Sequence, residues 1–153
     1  MKKIFITTLA LVIPAMMFGQ QDPAFLRIDK VRKDIDDNLN SFAKEESASD
    51  SLGSRLDFFS GKDLRKEEIN YNDLGVVKRV CWYFSGKTLV YCEQWWTDAN
   101  GLLVDHEKFY LNHQHLLSWT RNDTQVDPKS EEFSKVDKEL VAYGVRLVER
   151  AKR

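Results

Sequence analysis

The amino-acid sequence predicts an α+β fold in which an antiparallel β-meander of five or six strands is flanked by an N-terminal and a C-terminal amphipathic helix. Apolar residues recur at steps of three and four near both ends of the chain, which is the spacing of one helix face. Between these segments a short hairpin-like unit is repeated, with turn residues between apolar runs. Aromatic residues make up 12% of the chain, a content that favours a packed core over disorder.

The first segment, residues 1–20, has the composition of a secretory signal peptide. Lys2 and Lys3 give a positive start, and the following residues up to Phe18 are almost all apolar. This run is shorter than the roughly 20 apolar residues that cross a bilayer. We therefore expect cleavage near Gly19 to Gln21, with residues 21–153 forming a single periplasmic or secreted domain that has no transmembrane segment. The alternative is an uncleaved N-terminal anchor.

The charge of the expected mature part argues against some classes of partner. Without Lys2 and Lys3 it contains 21 basic and 24 acidic residues. A nucleic-acid-binding protein normally carries a basic patch or stripe. We therefore expect no nucleic-acid partner.

Two helices are predicted from their start signals and their apolar stripes. Asp22-Pro23 is a good N-cap followed by proline at the first helical position, and the apolar stripe continues to about Ala43. The Ser- and Asp-rich residues 45–54 then predict a loop. Asp127-Pro128 repeats the start signal before the second stripe, which includes Gly144. A glycine inside a helix costs about 1 kcal/mol relative to alanine, so we expect a close approach to another element there.

The centre of the chain contains an internal repeat. The sequence FFSGKDLRK at 58–66 returns as YFSGKTLVY at 83–91, and a weaker copy, FYLNHQHLLSW, occupies 109–119. Asn100-Gly101 is a strong hairpin signal, because both residue types tolerate positive φ. The pattern predicts strands near 56–60, 64–71, 76–84, 89–97, 102–111 and 116–121.

Strict alternation along these strands divides their side chains between two faces. The more apolar face, with Val80, Trp82, Phe84, Leu89, Tyr91, Trp95, Val104, Tyr110, Leu117 and Trp119, is predicted to carry both helices. The other face is mixed, and its large side chains are Tyr83, Trp96 and Phe109. If these three are exposed together, they form a possible binding surface. The alternative is a minor core under residues 45–56.

Cys81 and Cys92 are the only cysteines of the sequence. An even count in an oxidising compartment favours a disulfide. If Phe84 pairs with Leu89 and the register continues unbroken, Cys81 lies opposite Cys92, within reach of a bond after a small adjustment. The alternative is two small apolar residues packed side by side.

Catalytic and metal chemistry have weak support in the sequence. His106, His113 and His115 are candidate metal ligands, because an H-x-H pair in a strand can hold zinc or copper when a third ligand arrives. The turn expected at 112–115 weakens this hypothesis, since the two rings then need not converge. Motifs for a nucleophile elbow or a phosphate-binding glycine loop are missing from the sequence. We therefore predict no catalytic residues and no cofactor.

The plan of the chain resembles that of small uncharacterised secreted proteins of Gram-negative bacteria. The residues that carry the likeness are Tyr83-Phe84, Gly86, Leu89, Tyr91, Asn100-Gly101, Phe109-Tyr110, Leu116-Leu117 and Trp119. The FSGK and NG elements also resemble hairpin repeats of the MORN type, although the third copy lacks the glycine. The resemblance covers about the central half of the chain. It implies a fold plan and a compartment, and no activity.

These observations favour an exported, non-enzymatic binding or interaction module of the cell envelope. The expected partner is another envelope protein or a glycan. One alternative is a small metal-dependent or hydrolytic periplasmic enzyme that uses His106, His113 or His115. A further alternative is a structural subunit of an envelope assembly, with an open sheet edge available for strand addition.

Overall fold

The computed structural model describes residues 22–49 and 53–151. The predicted signal peptide, residues 1–20, lies outside these described residues. The elements in chain order are helix α1 (Pro23–Asp37), a 3₁₀ turn (Leu39–Ser41), strands β1 (Ala43–Ser49), β2 (Gly53–Ser60), β3 (Asp63–Asp73), β4 (Val76–Ser85), β5 (Thr88–Thr97), β6 (Leu103–Asn112), β7 (His115–Arg121) and β8 (Thr124–Gln125), and helix α2 (Glu131–Arg150). Within the described ranges, no helix is both long and apolar enough to cross a bilayer.

All eight strands form one antiparallel sheet in sequence order, which confirms the predicted meander. The prediction of five or six strands is wrong, because β1 and β8 were missed. Strand β1 covers the first half of the segment predicted as a loop, and it pairs with β2 over its whole length. Its Ser- and Glu-rich sequence has low strand propensity, so the neighbouring strand determines its conformation. Strand β8 has only two residues.

The predicted N-cap is correct for α1, whereas the N-cap predicted for α2, Asp127, lies three residues before the observed one. The Asp22 carboxylate accepts a hydrogen bond from the Ala24 amide at 2.8 Å, and Pro23 occupies the first turn. Helix α1 ends at Asp37, before the predicted limit near residue 43; the 3₁₀ turn Leu39–Ser41 follows, and β1 begins at Ala43. At the other end, Ser130 caps α2 by accepting from the Phe133 amide at 3.1 Å.

Each of the three repeated hairpins contains a β-bulge at the same place. Phe59 pairs with Leu64 and Phe58 with Lys66, so Arg65 is the extra residue of the first hairpin. The same shift occurs between β4 and β5 at Val90, and between β6 and β7 at Leu117. A bulge reverses the alternation of side chains beyond it. The predicted division into faces, which assumed unbroken alternation, is therefore wrong past each bulge.

As a consequence of the bulges the helices lie on opposite faces, and not together on one face as predicted. Helix α2 covers a core that includes Val80, Phe84, Leu89, Cys92, Phe109, Leu111, Leu116 and Trp119. Helix α1 covers a smaller core, in which Ile28 and Ile35 pack on Cys81, Tyr83 and Tyr91. Gly144 confirms the expected close approach, since a Cβ at this position would lie 2.9 Å from Leu89 Cβ.

The bulge at Val90 also separates the two cysteines. Phe84 does pair with Leu89, but beyond the bulge Cys81 pairs with Glu93 while Cys92 pairs with Trp82. The thiols therefore point to opposite faces of the sheet, and both are free and buried. The two cysteines are not bonded to each other in this structure, and the Cys81–Cys92 disulfide stays a prediction. Burial raises the pKa of the Cys81 thiol to about 12, as desolvation disfavours the thiolate.

Candidate functional site

The three candidate metal ligands do not converge. His106 lies in β6, where its Nε2 is 2.7 Å from Glu93 Oε1 and its ring stacks on Trp95. His113 is in the β6–β7 turn, seven residues away, which is about 23 Å along a strand. His115 begins β7, with its Nδ1 3.6 Å from Asp137 Oδ2. The residues that the structure describes contain no cluster of three potential ligands that could hold a metal ion.

The three aromatic residues of the possible binding surface do not form one surface either. Tyr83 is buried beneath α1, and its hydroxyl contacts the Asp36 carboxylate at 3.1 and 3.2 Å. Phe109 is buried on the opposite face, where it stacks on Trp119. Trp96 alone is half-exposed, with the Lys78 ammonium 4.6 Å from its ring centroid.

A buried carboxyl pair joins the C-terminal end of α2 to the sheet. Asp57 and Glu67 pair across β2 and β3, and the Arg150 guanidinium binds both. Glu67 is fully buried. Desolvation raises its pKa to about 7, the neighbouring Asp57 carboxyl adds to the rise, and Arg150 opposes it.

Glu68, the residue next to Glu67, lies beneath α1, and its pKa is shifted in the opposite direction. Glu68 accepts from Lys66 at 2.9 Å and from Arg79 at 3.0 Å. Burial alone would raise the pKa of Glu68, but these two cations outweigh it and lower the pKa. Lys66 also donates to Asp36 of α1 at 2.8 Å, so this network ties α1 to the sheet.

An open groove runs between α2 and the sheet, with a cavity volume of about 500 Å³. We call it the α2 groove; the residues that define it are Lys78, Trp82, Gln94, Glu107, Tyr143 and Arg146. Glu107 is buried in its floor and accepts hydrogen bonds from Gln94, from Trp119 Nε1 at 3.2 Å and from Arg121 Nε at 2.7 Å. The groove thus combines aromatic side chains with fixed polar groups, as small-molecule sites do.

The end of the sheet away from the main helix contacts carries a cluster of exposed apolar side chains, which we call the apolar rim. Its members are Leu74, Val76, Val77, Leu102, Leu103 and Val104, with between 38% and 97% of their surface exposed. They lie in the β3–β4 and β5–β6 turns and at the starts of the strands that follow, β4 and β6. The turns touch, because a Cβ on Gly75 would lie 3.1 Å from Ala99 Cβ, and Val77 and Leu103 both pair with Thr97.

Leu74 is the least favourable residue of the apolar rim for the stability of the isolated chain. It occupies the first position of a two-residue turn with a φ of 49°, followed by Gly75 with a φ of 85°. Such turns favour Asn, Asp or Gly at this position, and a left-handed conformation costs other residues roughly 1–2 kcal/mol. The side chain is also 97% exposed. Folding alone therefore gives no reason for leucine at this position.

Neither the α2 groove nor the apolar rim was predicted from the sequence. The apolar rim had a readable signal, because the sequences DLG at 73–75 and NGLLV at 100–104 place aliphatic residues directly at turns. The α2 groove had no readable signal in the sequence, since the bulges decide which side chains of the strands face α2.

A comparison of the chain with protein-family models, with curated proteins and with solved structures found no match.

Proposed function

We propose that this chain is an exported, non-enzymatic interaction module of the cell envelope that binds another envelope protein through the apolar rim. The observation that carries the proposal is the set of six exposed aliphatic side chains in and directly after two turns that lie against each other. Contiguous exposed apolar surface on a soluble protein marks an interaction site. The export itself rests on the leader sequence, residues 1–20.

The composition of the apolar rim favours a protein over a glycan as the partner. All six of its side chains are aliphatic, whereas sugar recognition uses aromatic rings and hydrogen-bonding groups. Burying one Leu or Val side chain completely contributes about 1.5–3 kcal/mol, so a few of these residues suffice for a specific contact. Trp95, which is half-exposed two residues before Thr97, extends the contact area. Aromatic residues of this kind are enriched in protein interfaces.

The alternative of a hydrolytic enzyme has one observation in its favour. Glu67, with a pKa of about 7, could act as a general acid or base at neutral pH. However, its side chain is fully buried and bound by Arg150. A substrate has no access to the Glu67 carboxyl in this conformation, so the geometry favours a structural role.

The alternative of a structural subunit rests on β1, which forms one edge of the sheet. Among the strands that the structure describes, β2 is its single neighbour, so its other side offers unpaired backbone groups to an incoming strand. Lys44, Glu45 and Glu46 lie along this edge. Charged side chains on an edge strand oppose strand addition, and we therefore favour the apolar rim as the contact.

Photo-crosslinking in the native cell tests the proposal. A photo-reactive amino acid replaces Leu102 in the apolar rim or, as the matched control, Leu26, which is 56% exposed on α1. We expect a crosslinked protein of discrete mass from position 102 and not from position 26. The same partner, purified, must then reproduce the crosslink. Identical adducts from both positions, or adducts with lipid alone, would contradict the proposal.

A further inference from the structure

A second site of this protein, separate from the apolar rim, is the α2 groove. Four of the polar side chains that line it already satisfy one another: Glu107 accepts from Gln94 and Arg121, and Arg121 also binds Glu132 at 2.9 Å. Glu139 of α2 also lines the groove, where its exposed carboxylate lies 4.0 Å from the Lys135 ammonium. The acceptors at the groove are therefore engaged by groups of this chain.

The hydrogen-bond donors at the groove are not paired with acceptors in this way. The Lys78 ammonium lies over the Trp96 ring and forms no ion pair within the described ranges, and burial lowers the pKa of Lys78. The Arg146 guanidinium lies 5.5 Å from the Tyr143 ring centroid, also without an ion pair in the described part of the chain. The Trp82 indole N–H is buried, and no acceptor for it occurs among the described residues. Burying a donor without an acceptor lowers the stability of the fold.

The aromatic part of the groove supplies an apolar contact. Trp82 and Tyr143 have ring centroids 4.5 Å apart and join the sheet to α2 at the groove. A cavity volume of about 500 Å³ is within the range of small-molecule sites.

From these features we propose that the α2 groove binds a small anion of one chemical class, a carboxylate attached to a six-membered ring. The ring lies against Trp82 and Tyr143, and the carboxylate accepts from Lys78 and Arg146. An acidic sugar and an aromatic carboxylate share this chemistry. Cations that lack a carboxylate partner gain a charge-assisted hydrogen bond when such a ligand arrives.

Isothermal titration of the purified wild-type chain with four probes tests the proposal. The probes are glucuronate and its neutral counterpart glucose, and benzoate and its neutral counterpart benzyl alcohol. We expect each anion to bind at least tenfold more tightly than its neutral counterpart, since hydrogen bonds to charged groups are worth about 1.5–3 kcal/mol. The two anions then show whether the ring is a sugar or an aromatic. Equal affinities within each pair, or no binding of either anion, would overturn the proposal.

Variants locate the ligand. Lys78→Gln and Arg146→Gln should each weaken the anion about tenfold, because each removes one charged donor while keeping an uncharged side chain of comparable length. The matched control is Lys138→Gln, an exposed position on the same helix as Arg146, which should leave the affinity unchanged. Urea unfolding of all three variants shows whether the fold is intact. A ligand that binds all three variants as tightly as the wild type would place its site elsewhere and overturn the proposal.

Discussion

The unfolding free energy of the wild-type protein should fall as the pH rises and Glu67 ionises, and Glu67→Gln should abolish this fall. Burial and the adjacent Asp57 raise the pKa of Glu67 from 4.5 to about 7 in the folded protein, against the opposing effect of Arg150. Since the folded pKa is above the unfolded one, the protonated carboxyl stabilises the fold below pH 4.5. That contribution is lost as the pH rises through 7. A rise from 4.5 to about 7 corresponds to about 3 kcal/mol of unfolding free energy.

The assay is urea unfolding, followed by tryptophan fluorescence at several values between pH 4.5 and 8. Glutamine stays neutral throughout, and Arg150 keeps Asp57 as a partner at 3.3 Å. The unfolding free energy of Glu67→Gln minus that of the wild type should therefore increase by about 3 kcal/mol across this range. Parallel curves for the two proteins would refute the reasoning.

The neighbouring Glu68 provides a matched control of opposite sign. Lys66 and Arg79 lower the pKa of Glu68 despite its burial, so its ionised form stabilises the folded protein. This contribution is present above the unfolded pKa and is lost as the pH falls through the folded one. Glu68→Gln should be less stable than the wild type at pH 7, and the difference should shrink towards pH 3. A difference that grows on acidification would contradict the assignment.

Three other predictions follow from the packing and from the leader. Gly144→Ala should lower the unfolding free energy by about 1 kcal/mol, because crowding against Leu89 outweighs the helix propensity gained; a variant more stable than the wild type in urea would contradict this. Thiol titration without reductant should find Cys81 and Cys92 unreactive in the native protein and two thiols after denaturation, whereas no thiols would indicate a bond. Intact mass spectrometry of the protein from its native host should place the mature N-terminus near Gly19 to Gln21, and an uncleaved chain would refute the leader.

The sequence was sufficient to predict the order of the elements and six of the eight strands. Hydrophobic periodicity and turn residues report local structure, and the repeated SGK turns and Asn100-Gly101 lie where hairpins were expected. Strand β1 could not be found in this way. Its polar sequence becomes a strand because β2 is beside it, which is a tertiary effect.

The faces of the sheet could not be predicted, because the side-chain pattern has a period of two. One extra residue per hairpin, at Arg65, Val90 and Leu117, reverses everything beyond it. Because these bulges were not predicted, the sequence analysis placed Cys81 opposite Cys92 and both helices on one face, and it did not reveal the α2 groove. The recurrence of the bulge at equivalent positions shows that it belongs to the repeated unit itself.

The measurement that tests the central claim most directly is the behaviour of Leu74→Asn in two assays. Asparagine adopts positive φ more readily than leucine, so the variant should unfold at the same or a higher urea concentration than the wild type. Its affinity for the crosslinked partner should nevertheless fall about tenfold or more, because a buried leucine contributes about 1.5–3 kcal/mol. Leu26→Asn should bind normally. Unchanged partner affinity of Leu74→Asn would contradict binding through the apolar rim.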